Sequence, residues 1–143
     1  MDMLFKTDVS VPVVAAFEAI TTTKGLSSFW TSDCEAKPEV GSVARFGFPA
    51  APVDLRMRVD ELVPSQRVTW SCLGDFPHWA GTTVTWELGP ATQGEGSSVF
   101  FRHGGWGPEY PESEYASVAF VWGQVVARLK EHLETGRRDP FLG

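Results

Sequence analysis

The sequence predicts an α+β fold in which a curved antiparallel sheet of about six or seven strands wraps on one long C-terminal helix. Three observations carry this. Segments between Phe46 and His103 repeatedly put apolar residues at every second position, the strand period. The stretch from Glu112 to Thr135 places its apolar residues on one stripe at helical spacing. No other amphipathic stretch is long enough to cover the dry face of a sheet, so the sheet must curl around that helix.

The elements follow in order. Met3 to Val9 alternates and reads as a strand. Ser10 stands where a helix N-cap belongs. Pro12 is tolerated in the first turn, and Val13, Val14, Phe17 and Ile20 recur at helical spacing up to the break at Thr21-Thr22-Thr23. Lys24 to Phe29 is a second short helix. Phe46 and Phe48 then point inward before the Pro49-Ala50-Ala51-Pro52 turn. Val53 to Asp60 alternates apolar with charged residues, so Met57 and its companions face a core while Arg56 and Arg58, with Asp54 and Asp60, face water. After the Pro64-Ser65-Gln66 turn the inward sets are Val68, Trp70 and Cys72, then Val84, Trp86 and Leu88. Beyond the Pro90–Gly96 hairpin loop come Val99, Phe101 and His103. On the last helix the stripe is Tyr115, Val118, Trp122, Val125, Leu129 and Leu133. Glu112 and Glu114 suit its positive end, Arg128 and Lys130 its negative end, and Gly136 its C-cap.

The chain has 143 residues, close to the roughly 150 of an ordinary domain, and residues 1–143 are expected to form a single one. Its 43% hydrophobic and 21% charged residues are a globular balance. A net charge of −6 with no basic block argues against nucleic acid and anionic membrane surfaces as partners. Met1 to Lys6 lacks the pattern of a secretory leader and no apolar run is long enough for membrane insertion, so a cytoplasmic location is expected. Cys34 and Cys72 are unpatterned and read as reduced, structural thiols. His78, His103 and His132 lack zinc-site spacing, and neither a phosphate-binding loop nor a nucleophile elbow occurs. No metal and no cofactor are therefore expected.

Several short motifs stand in order along nearly the whole chain: Val11-Pro12-Val13-Val14-Ala15-Ala16-Phe17, Gly25-Leu26-Ser27-Ser28-Phe29-Trp30, Gly41-Ser42-Val43-Ala44-Arg45-Phe46 and Met57-Arg58-Val59-Asp60-Glu61-Leu62-Val63-Pro64. Arg67-Val68-Thr69-Trp70, Trp79-Ala80-Gly81-Thr82, His103-Gly104-Gly105-Trp106 and Trp122 with Leu133-Glu134-Thr135-Gly136 complete the set. Together they resemble the START-like, Bet v allergen-like (SRPBCC) superfamily, in the branch named after the activator of the 90-kDa heat-shock protein ATPase (AHSA-like). Ser42 and Phe29 stand where that branch often has a second Gly and a second Trp. The resemblance implies a helix-grip fold and, for the superfamily, apolar ligands held between sheet and long helix. A minority of members act as cyclases or dehydratases. The chaperone-stimulating role belongs to eukaryotic members with an additional N-terminal domain, which is not expected in a chain of 143 residues.

Six Trp, ten Phe and two Tyr are a heavy aromatic load for this length. Phe46, Phe48, Met57, Trp70, Trp86, Phe101 and Trp122, with Trp30, are the candidate lining of an apolar cavity. The competing reading is that these rings fill the core. His103, Trp79 and Tyr115 are the candidates to orient a ligand's polar group. His103 is the one ionisable residue that alternation places inward, and it reads either as an acid or base or as a buried structural histidine. The first hypothesis is a non-enzymatic module that binds a small apolar or amphipathic molecule, with no catalytic residue. The second is a cyclase, dehydratase or hydrolase using His103. The third is a protein-interaction domain, a homodimer or chaperone partner, using Trp79 and Trp106 as exposed anchors.

Overall fold

The computed structural model describes residues 1–143. The first strand, β1 (Met3–Val9), leads into α1 (Val13–Thr21) and α2 (Thr23–Phe29). Six strands follow: β2 (Cys34–Glu35), β3 (Val43–Phe46), β4 (Leu55–Val63), β5 (Arg67–Cys72), β6 (Thr83–Pro90) and β7 (Ser97–Gly104). The last element is α3 (Glu112–Thr135). The seven strands form one curved antiparallel sheet in the order β1-β7-β6-β5-β4-β3-β2. This is the helix-grip arrangement that periodicity and resemblance both predict.

The register turns the alternation of single strands into rows across the sheet. Met3, His103, Val84, Trp70 and Val59 stand opposite one another on five successive strands. Phe5, Phe101, Trp86, Val68 and Leu62 form the adjacent row. Because a one-residue slip would turn every one of these side chains to water, the rows pin the register. They meet Trp122, Val125, Val126 and Leu129 of α3 in a single apolar cluster. Gly136 closes α3 in the left-handed conformation (φ 76°), its N–H donating to the His132 carbonyl.

Some elements depart from the sequence reading. Ser10 does not cap α1: Pro12 occupies the N-cap position without a side-chain bond, and the Ser10 N–H donates to Glu134 Oε2 of α3 at 3.0 Å. The strand expected from Val53 begins at Leu55, because β3 ends at Phe46, the partner of Leu55, and nothing is left to pair with Val53. Val53 is exposed. The same strand runs on to Val63 through a bulge at Asp60, which accepts a hydrogen bond from the Ser71 hydroxyl and pairs with Arg58 at 2.7 Å. Arg56 pairs with Asp75 rather than Asp54, which goes to Arg45. The two-residue β2 has too few residues to show a period.

Candidate ligand-binding site

Trp30 packs between Phe46 of β3 and Trp122 of α3. It follows α2, and a short parallel pairing fixes that segment: the Leu142 N–H donates to the Trp30 carbonyl and the Ser32 N–H to the Leu142 carbonyl. The Trp30 ring lies 4.2 Å from Phe46 and 4.9 Å from Trp122, centroid to centroid. Beside it opens a pocket of roughly 200 Å³. One wall is α3, through Ser117, Val118, Val121 and Trp122. The others are Trp30, Phe48 and the β5–β6 loop, through Phe76 and Trp79. Phe48, Phe76 and Trp79 form a continuous aromatic rim, at 5.7 Å and 5.4 Å between successive rings. Ser117 is the one polar lining residue. The loop that brings the rim into place holds His78 in the left-handed region (φ 71°), its ring packed against Tyr110.

His103 ties two of these walls together. The Trp122 indole N–H donates to His103 Nδ1 at 3.1 Å, so the ring's proton sits on Nε2. Nε2 lies 2.9 Å from the Thr82 hydroxyl, which itself donates to the Trp79 carbonyl at 2.7 Å. The imidazole is thus a neutral bridge from α3 to the β5–β6 loop, with both nitrogens occupied and no face on the pocket. Burial pushes its pKa down to about 3, against a small opposing pull from Asp2. Below the ordinary range near 6.5 the unfolded chain binds a proton that the folded chain refuses, so stability is full above that range and falls as pH drops toward 3. His103 contributes a slope of about 1.4 kcal/mol per pH unit in that window. Urea unfolding across the window checks this, and His103→Gln should remove that share, leaving the loss at lower pH that comes from Asp8, Asp60, Glu61 and Glu134, whose hydrogen bonds hold them below the ordinary carboxylate range. Burial raises both free thiols, Cys34 and Cys72, to about 11, which keeps them protonated and poor nucleophiles.

The structure divides the sequence candidates. Trp30, Phe48, Trp79 and Trp122 come together at the pocket. Phe46, Met57, Trp70, Trp86 and Phe101 are closed inside the core and do not line it. His103 supports the pocket from behind, and the Tyr115 hydroxyl donates to the Asp2 carbonyl at 2.8 Å, away from the pocket. Trp79 is buried, and Trp106 is half-buried and stacked on Tyr110 at 4.2 Å, so neither is an exposed anchor. Phe76, Ser117, Val118 and Val121 complete the lining without having been singled out as ligand contacts. Val121 carried a signal: an apolar residue off the buried stripe of an otherwise solvated helix face.

The family model described as "Activator of Hsp90 ATPase homolog 1-like protein" matches residues 10–134. The chain belongs to this family. Among solved structures it is similar to the Aha1 dimer from Colwellia psychrerythraea, with a TM-score of 0.83, 26% identity, and 95% of this chain and 98% of that one covered. It is also similar to DynU16, a putative protein of the dynemicin biosynthetic locus (TM-score 0.78, 26% identity), of which the match covers 49%, against 98% of this chain. The protein SSP2350 from Staphylococcus saprophyticus shares the fold, with a TM-score of 0.80, 18% identity, and 100% and 98% covered. No curated protein sequence matches the chain. No helix is long and apolar enough to cross a membrane.

Proposed function

We propose that this AHSA-like chain is a non-enzymatic binding module for a small apolar or amphipathic molecule, taken into the pocket between α3, Trp30, Phe48 and the β5–β6 loop. The observation that carries the proposal is an open pocket of roughly 200 Å³ with an almost wholly apolar lining beside an otherwise closed core. A dry cavity of about 150 Å³ suffices for benzene, so one aromatic ring or a short acyl segment matches this volume. Affinity comes from burying apolar surface, at about 25 cal/mol per Å². His103 holds Trp122 and the loop in place rather than reacting, since it has no free nitrogen. The buried free thiols support the reducing cytoplasm as its location.

The test is saturable binding of toluene, followed by tryptophan fluorescence, to the wild type and to Val118→Trp. The indole introduced at a half-buried lining position occupies the pocket, so affinity should fall at least about tenfold, the factor that 1.4 kcal/mol of lost contact gives, while the unfolding temperature stays close to that of the wild type. Binding unaffected by the substitution places the ligand elsewhere.

Homodimerisation is a second reading, supported by the dimeric state of the Colwellia neighbour. On this chain Phe120, 71% exposed on α3, and Val121 beside it form the apolar patch that suits such a contact. Sedimentation velocity should show a dimer that Phe120→Asp converts to monomer. A monomer at all concentrations removes this reading and leaves the pocket untouched.

A further inference from the structure

We infer that the ligand is an arylalkyl amine, a single aromatic ring whose short chain ends in a protonated amine held at Glu114. The inference rests on the pocket's being a ligand site and adds the chemical class. Next to the apolar pocket lies a second hollow of roughly 370 Å³, lined by Pro77, Tyr110, Ser113 and Glu114. The two hollows share Phe76, Trp79, Ser117 and Val118, so they form one groove, dry at one end and polar at the other.

The charge along that groove is of one sign. Glu114 is the only acidic residue that lines it, and no Lys or Arg lines either part. The protein's ion pairs use other carboxylates, which leaves Glu114 without a cation. Its position in the first turn of α3 satisfies the helix dipole, and its carboxylate also acts on the Tyr110 hydroxyl, which burial and that charge together hold above its ordinary range. A carboxylate in one lining with the aromatic rings of Tyr110 and Trp79 is a combination that suits an organic ammonium. A carboxylate-headed molecule such as a fatty acid would find no cation here and would meet Glu114 on a chain of net charge −6.

The spacing sets the length of the molecule. Glu114, Val118 and Trp122 fall on successive turns of one face of α3, each turn rising about 5.4 Å. With a ring seated between Val118 and Trp122, an ammonium reaches Glu114 over two or three methylene groups.

Three probes of equal shape test this: 3-phenylpropylamine, 3-phenylpropan-1-ol and 3-phenylpropionate, titrated against the wild type, Glu114→Gln and Glu112→Gln. In the wild type the amine should bind about fivefold tighter than the alcohol, the scale of a solvent-exposed ion pair with an aromatic contribution, and the propionate weakest. Glu114→Gln should bring the amine down to the alcohol and leave the alcohol unchanged. Glu112→Gln, outside the groove, should preserve the amine's advantage. Equal binding of amine and alcohol, or an advantage that survives Glu114→Gln, overturns the inference, while saturable binding of the alcohol still upholds the pocket. If none of the three saturates, the pocket reading falls and the inference with it.

Discussion

Replacing His103 by Leu is expected to destabilise the protein by about 2–4 kcal/mol, more than its size suggests, because the loss is of hydrogen bonds rather than of volume. His103 is fully buried, and its removal leaves the Trp122 indole N–H with no acceptor in a dry core. Thr82 loses its donor but keeps the bond to the Trp79 carbonyl, so the greater part of the cost falls on Trp122. Trp122 bounds the pocket, so probe affinity should drop along with stability. A double-mutant cycle with Trp122→Phe separates the two effects. If the indole bond is the main term, the double variant is clearly more stable than the sum of the single losses predicts. Additive losses would mean that packing, not the bond, is what His103 supplies. The His103→Leu variant should lose the share of the acid-side slope that His103 supplies, because the group that resists protonation is gone.

Gly25→Ala is the second large effect expected, about 3 kcal/mol or more, from the upper end of overpacking costs. Gly25 lies inside α2, buried where the helix crosses the end of α1. A Cβ there would overlap the carbonyl oxygen and Cα of Ala19, which are backbone atoms and cannot swing aside as a side-chain tip can. Relief requires α1 and α2 to separate. α2 leads directly into Trp30, so the separation also shifts a pocket wall, and thermal unfolding and toluene affinity should fall together. Loss of stability with unchanged affinity would show that Trp30 is held by the C-terminal pairing with Leu142 alone.

Strand periodicity and the stripe of α3 were legible because each inward residue obeys a local rule, and Glu112–Thr135 is matched at both ends. His103 was legible as inward, since it continues the alternation from Ser97. Its partners were not: Thr82 lies on the loop side of β6 and Trp122 nearly three turns into α3, brought together by the fold alone. The inward aromatics showed the same limit. Periodicity says that Trp70, Trp86 and Phe101 face the core, but whether rings interlock or leave space depends on their angles. Here edge-on pairs such as Trp86 with Phe101, at 4.8 Å, close the interior, and the space left over lies at the margin, beside Trp30. Phe76 and Val121 were missed because one sits in a loop without period and the other off the stripe.

On the proposed function, a one-ring apolar molecule occupies the space between Trp30, Phe48, Trp79 and Trp122. A crystal structure of the protein soaked in bromobenzene measures this most directly, through anomalous scattering of the bromine. A bromine peak is expected inside that space and is expected to be absent from Val118→Trp crystals. Crystals with no peak there, or with the space closed by the rings themselves, would contradict it.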